Sequence, residues 1–186
     1  MSTIAGTGAR ARRLPCRGPA GGGQYSAPVP QPRWLDDAED RAWRGYRKMR
    51  GLLDLQLSRD LAEDSGFSDA DYDVLSSVSE SDDHRIRLTD LARRMLWSKS
   101  RLSHQITRMQ QRGLVDREEH PADGRGTVVV LTDHGWEAIR AAAPAHVASV
   151  RRHLLDRLSR EQIEALGDIA EAVVRHLSVD SGTERR

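Results

Sequence analysis

A mainly α-helical fold built around a helix-turn-helix is what this sequence predicts, on three observations. Residues 91–115 contain no Asp or Glu, yet they carry Arg93, Arg94, Lys99, Arg101, Arg108 and Arg112. Two short segments with helical apolar periodicity are separated there by a tight connection holding Ser98, a residue type that caps helices. A glycine-bearing hairpin pattern, residues 117–131, follows at once. A cationic helix with a hairpin beside it suits a protein that lies in a DNA groove and holds the adjacent backbone.

The elements follow in chain order. Residues 1–33 carry five Arg, no acid and scarcely a large apolar side chain, so they read as a disordered arm. That arm either touches DNA phosphates or idles. A long helical pattern begins at Trp34, where Leu35, Ala42, Tyr46, Met49, Leu53 and Leu57 step along one face and Trp43 and Leu61 widen it. Gly66 marks its end. Ser68 with Asp71 has the form of a capping box opening a second helix that holds Tyr72, Val74, Leu75 and Val78. Residues 80–84 are polar and break it, and residues 85–88 alternate enough to form a small strand.

Thr89 is expected to cap a short helix over residues 90–96, with Leu91, Ala92 and Met95 facing inward. Ser98 caps the next, which runs to about Arg112 and stops at Gly113. Leu102, Ile106 and Met109 give the second helix its buried face. A turn of about 100° per residue then puts Ser100, His104, Thr107, Arg108 and Gln111 opposite, with Arg101 and Ser103 flanking. Residues 114–119 and 126–131 read as strands, joined through Pro121 and the Asp123-Gly124 pair. Thr132 caps a long helix that Pro144 should kink. Ser159 with Gln162 opens a last helix, in which Ile163, Leu166, Ile169, Ala170, Val173 and Leu177 recur at nearly heptad spacing. After Ser178 the polar tail is expected to fray.

Overall charge is close to balance, 29 Lys+Arg against 28 Asp+Glu, but its distribution is not even. Residues 34–96 carry ten bases and fifteen acids, whereas residues 97–128 carry six bases and four acids. An acidic body presenting one basic patch favours oriented docking over general polyanion binding. The lone Cys16 excludes an internal disulfide or a cysteine-based zinc site and suits a reducing cytoplasm. No apolar run is long enough to cross a bilayer, and Arg12-Arg13 is not followed by the apolar stretch of an export signal. No membrane partner is expected, and no cofactor.

The order of elements and several local motifs resemble the MarR (multiple antibiotic resistance regulator) family. The likeness is carried by Leu91-Ala92, by Ser98-Lys99-Ser100-Arg101-Leu102-Ser103 and by Arg112-Gly113-Leu114-Val115. It continues through Asp123-Gly124-Arg125 and Leu131-Thr132-Asp133-His134-Gly135, and it covers about residues 34–178. The resemblance implies a winged helix-turn-helix, a three-helix core plus a β-hairpin wing, with N- and C-terminal helices forming a dimerisation domain. It also implies a homodimeric, cytoplasmic bacterial repressor that binds a pseudopalindromic operator in double-stranded DNA and releases it when a small aromatic or anionic effector binds. With the arm (1–33) and a flexible tail (179–186) outside the likeness, the expected organisation is an N-terminal dimerisation helix (34–66), the winged helix-turn-helix (67–135) and C-terminal dimerisation helices (136–178). Leu96-Trp97 departs from the small residue or glycine common in the family's turn; Trp97 is expected to pack under the recognition helix. Cys16 lies well upstream of the first helix, where peroxide-sensing members keep their reactive cysteine.

The candidate DNA contacts are Ser98, Lys99, Ser100, Arg101, Ser103, His104, Gln105, Arg108, Arg117 and Arg125. Arg101, Arg108 and Lys99 either read guanine edges or hold phosphates, and the serines suit phosphate or adaptable base contacts. Arg117 suits a phosphate. Arg125, at the wing tip, suits the narrow minor groove of A·T-rich DNA, with Asp123 orienting the turn or pairing with it. Trp43, Tyr46 and Tyr72 either line an effector pocket or belong to the core. His146 and His153 share a helical face, and Glu119, His120 and Asp123 lie close in the wing, but neither group is a recognised metal-ligand set. No G-x-S-x-G, H-E-x-x-H or Walker-type loop occurs, which argues against an enzyme. The competing class is an architectural or protein-binding helical dimer with little sequence-specific DNA reading.

Overall fold

The computed structural model describes residues 33–119 and 126–183. The arm with Cys16, and His120, Pro121, Asp123, Gly124 and Arg125 of the hairpin connection, lie outside the described residues. Helix α1 spans Asp37–Ser65 and α2 spans Asp69–Ser79; strand β1, Arg85–Arg87, leads directly into α3, Leu88–Arg94. Then come α4, Lys99–Gln111, the strands β2, Val115–Glu119, and β3, Thr127–Leu131, and the helices α5, Asp133–His153, and α6, Arg160–Thr183. The described residues are mainly helical, as the sequence predicts, and carry one small antiparallel sheet ordered β1-β3-β2.

Capping explains most boundaries. Asp36 accepts from the amides of Ala38 and Glu39 at 2.9 Å each, and the Glu39 carboxylate accepts from Asp36 N, so α1 starts behind a capping box. Its 29 residues span about 44 Å at 1.5 Å per residue. Gly66, at φ 71°, closes it in the left-handed region. Ser68 and Asp71 form the expected box on α2. Ser98 caps α4, with its Oγ accepting from Arg101 N at 3.2 Å, and Gly113 at φ 69° ends the turn after it. Ser159 and Gln162 exchange backbone–side-chain bonds at the start of α6.

Two boundaries differ from expectation. Thr89 does not cap α3: the helix begins two residues earlier than expected, at Leu88, behind Arg87, which makes no side-chain cap. Helix α5 carries Pro144 inside it and runs on as one helix. Helix α6 continues to Thr183, five residues beyond the position where fraying was expected.

The core lies where α2, α3, α4 and the sheet meet. Val74, Leu75, Val78, Leu91, Leu102, Ile106, Met109, Val115 and Val129 have no accessible surface. Each such aliphatic side chain contributes about 1.5–3 kcal/mol on leaving water. Gly135 sits where α5 enters this core, and a Cβ there would stand 1.9 Å from the carbonyl oxygen of Leu114. Thr132 caps the same helix, accepting from Gly135 N at 2.9 Å while its hydroxyl donates to Gly113 O at 2.7 Å. The Leu-Thr-x-x-Gly sequence is thus a joint that presses the start of α5 onto the turn after α4.

Helices α1 and α5 pack along each other, tied by Asp60. Its carboxylate accepts from Ser149 Oγ at 2.6 Å, from Gln56 Nε2 at 2.7 Å and, in the protonated form or the appropriate tautomer of the ring, from His153 Nε2 at 2.9 Å. Among the described residues, helix α6 meets no other element in more than marginal contact.

Candidate nucleic-acid interface

Helix α4 presents the expected two faces. Leu102, Ile106 and Met109 are fully buried, while Ser98, Lys99, Ser100, Arg101, His104, Thr107, Arg108 and Gln111 are exposed. The basic residues of the acid-free segment divide into two groups. Arg93 pairs with Asp90 at 2.9 Å, Arg94 pairs with Glu80, and Arg112 pairs with Asp71 at 2.8 Å. Lys99, Arg101 and Arg108 are exposed and make no ion pair with a described residue, although the charge of Arg101 also acts on the nearby Asp73 carboxylate.

Arg101 is held all the same. Its guanidinium lies 3.9 Å from the centroid of the Trp97 ring, a cation–π stack. Trp97 in turn is half-buried against the core, so the indole is a platform under the start of α4, in line with expectation. Leu96, just before it, adopts φ 55° and is 93% exposed. An unbranched-at-Cβ but bulky residue in that region is strained, and the family-typical glycine would not be. With Thr89, Ala92, Arg93, Trp97 and Lys99, Leu96 borders an open hollow of about 600 Å³ at the corner of the helix-turn-helix.

Three candidate residues serve inside the fold. Gln105 is 2% exposed, and its Nε2 donates to Asp71 Oδ1 at 2.7 Å; it belongs to the inward side of α4, between Leu102 and Ile106, and is out of reach of a groove. Arg117 is half-buried on β2, and its Nη2 donates to Ser103 O at 2.7 Å, Ser103 Oγ at 3.3 Å and Thr107 Oγ1 at 3.0 Å. Through that one nitrogen it ties the hairpin to α4. Ser103 is half-buried with its carbonyl and hydroxyl engaged in that tie. Arg125 lies outside the described residues.

The aromatic candidates are not brought together. Trp43 and Tyr46 stack on each other at 5.9 Å on the outer side of α1, each about half exposed, so neither is core and neither borders a cavity with Tyr72. Tyr72 lines a separate cavity of about 340 Å³ with Asp73, Ser76, Ser77, Arg94, Met95 and His146. Its ring lies 4.2 Å from that of His146, whose buried Nδ1 has no hydrogen-bond partner among the described residues. Burial, then the carboxylates of Glu80 and Asp73, push the Tyr72 hydroxyl above its ordinary range, so it stays a proton donor at neutral pH. Among the described residues no group of three or more His, Cys, Asp or Glu could hold a metal ion, and no helix is long and apolar enough to cross a membrane.

A family model described as the MarR family matches residues 65–126. Transcriptional regulator HosA of Escherichia coli O111:H- is 31% identical over 121 residues, which is 65% of this chain and 87% of HosA. Among solved structures, AbsC, a MarR family transcriptional regulator from Streptomyces coelicolor, is 46% identical with a TM-score of 0.76, covering 79% of this chain and 99% of AbsC. Sco3205, a MarR family transcriptional regulator from the same organism solved in complex with DNA, is 41% identical with a TM-score of 0.75, covering 78% of this chain and 92% of Sco3205. These relatives are regulators of transcription and not enzymes.

Proposed function

This chain belongs to the MarR family of transcriptional regulators, and from that premise we propose that it is a ligand-responsive repressor acting as a homodimer on a pseudopalindromic operator. The observation that carries the reading is the exposed charge of Lys99, Arg101 and Arg108, none in an ion pair with a described residue, on a helix whose opposite face is core. Ser98, Ser100 and His104 share that surface and supply hydrogen bonds to phosphate or base edges. Arg125 adds the minor-groove contact expected from the sequence.

Dimerisation rests on α1 and α6, with α5 beneath. Leu52 and Leu55 on α1 and Ile169, Val173, Val174 and Leu177 on α6 are each about half exposed or more in the single chain. A two-fold axis through that layer sets two copies of α4 about one helical turn of DNA apart. The effector site is the Tyr72 cavity, whose Arg94, His146 and tyrosine hydroxyl suit a small anionic or aromatic ligand. It lies where α5 meets α2 and α3, so a ligand there bears on the angle between the lobe and the helical layer.

The test begins with a duplex enriched by the protein from a random-sequence library. Arg101→Ala is expected to weaken binding to that duplex by about 1–3 kcal/mol in a gel-shift titration. Unchanged affinity removes Arg101 from the interface. Equal affinity for the enriched duplex and any other, with steep salt dependence, makes the protein an architectural binder instead.

A further inference from the structure

We propose that Gln105 is a positioning residue that aims the Arg108 guanidinium while leaving its charge uncompensated. The inference rests on the reading of α4 as the helix that meets DNA. Gln105 bridges two groups: its Nε2 donates to Asp71 Oδ1 at 2.7 Å, and its Oε1 accepts from Arg108 Nη2. Asp71, 6% exposed at the start of α2, is itself fixed. Its Oδ2 accepts from Ser68 N at 3.1 Å, Ser68 Oγ at 2.8 Å and Arg112 Nη1 at 2.8 Å. A polar chain therefore runs from the α2 cap, through the buried side of α4, to an arginine on its exposed side.

The amide has one orientation that works. A carboxylate only accepts and a guanidinium only donates, so the NH₂ must face Asp71 and the oxygen must face Arg108. The opposite orientation would set acceptor against acceptor and donor against donor. Gln105, 2% exposed, stands on the inward side of α4 with the fully buried Leu102 and Ile106, in a close-packed setting that restricts its side chain.

The choice of a neutral amide has an electrostatic result. One buried carboxylate serves two arginines: Arg112 is paired with Asp71 directly, whereas Arg108 reaches it through Gln105 and is bonded without being neutralised. A Glu at 105 would cancel the charge of Arg108 and face the like charge of Asp71. With one of its five N–H groups engaged, Arg108 keeps the others for a phosphate or a guanine edge. Ordering the side chain during folding removes part of the ordering cost at docking.

The experiment is a double-mutant cycle in the full chain with Gln105→Met, Arg108→Ala and both together. The probes are a duplex enriched by the wild-type chain from a random-sequence library and a scrambled duplex of the same composition. Binding is read by fluorescence anisotropy and folding by thermal melting. Gln105→Met is expected to lower the enriched-to-scrambled affinity ratio roughly tenfold when Arg108 is present, and not at all in the Arg108→Ala background. Its melting temperature should fall equally in both. Equal losses of the ratio in the two backgrounds, or none in either, overturn the proposal and leave Gln105 a core residue. Gln105→Glu gives a second readout: the slope of log affinity against log salt should fall by about one. An unchanged slope also counts against the proposal. Failure to enrich any duplex overturns the DNA reading itself, whereas enrichment with an additive cycle overturns this inference alone.

Discussion

Between α2 and β3 the large apolar side chains other than Leu96 are largely covered by their own chain, with Leu75, Leu102, Ile106 and Met109 wholly out of water; along α1 and α6, Leu52, Ile169 and Val174 stay 58%, 62% and 61% exposed. The two regions use the same residue types at the same helical spacing. What separates them is closure. The lobe folds a sheet and three helices around one core, whereas the helical layer offers an apolar stripe that no other described residue covers. One region is therefore closed in a single copy, and the other carries the exposed apolar surface on which the proposed dimer rests.

The sharpest way to break that contrast is within the lobe. Gly135→Ala drives a Cβ against the Leu114 carbonyl, a backbone atom that cannot swing aside. The expected loss is about 3 kcal/mol, at the upper end for overpacking, read as a lower urea midpoint. A wild-type midpoint would show the joint to be looser than described. In the layer, Val173→Asp removes about 1.5–2 kcal/mol of apolar burial per subunit and adds a charge to the stripe. Sedimentation should then report monomers while the lobe keeps its own unfolding transition. Unaltered dimerisation would assign the α6 face to another partner.

The smallest effect concerns pH and the seam between α1 and α5. The Ser149 hydroxyl, then the Gln56 amide, with His153 adding a bond and its charge, hold the Asp60 carboxyl down to about 2 from its ordinary 3.8. A depressed carboxyl favours the charged form in the fold, so its contribution is present above about pH 4 and is lost as pH falls towards 2. Acid unfolding of wild type and Asp60→Asn should therefore converge over that window. Parallel curves would take Asp60 out of the seam's stability.

These regions were unequally legible in the residues. Ser68, Ser98, Thr132 and Ser159 announce helix starts because capping is local chemistry, set by side chains within three positions of the cap. The pattern of Leu102, Ile106 and Met109 reveals the buried face of α4 for the same reason. Gln105 escaped that reading although it stands at i+3 from Leu102, on the inward side. Its polarity suggested a surface residue, and the partner that makes it a core residue, Asp71, is 34 positions away. The tie of Arg117 to α4 was hidden similarly, since its acceptors Ser103 and Thr107 become neighbours only once β2 turns back. Trp43 and Tyr46 looked like core because a stripe on α1 is apolar, but the spacing of a helix does not say whose chain covers it.

Arg117 has a consequence of its own. By bonding Ser103 and Thr107 it fixes the base of the hairpin to the side of α4, so the two move as one body. For any partner long enough to meet both, the first contact places the second at a high effective concentration, and affinity rises without a new bond. The same rigidity removes tolerance: a partner whose two contact points are spaced differently gains only one of them.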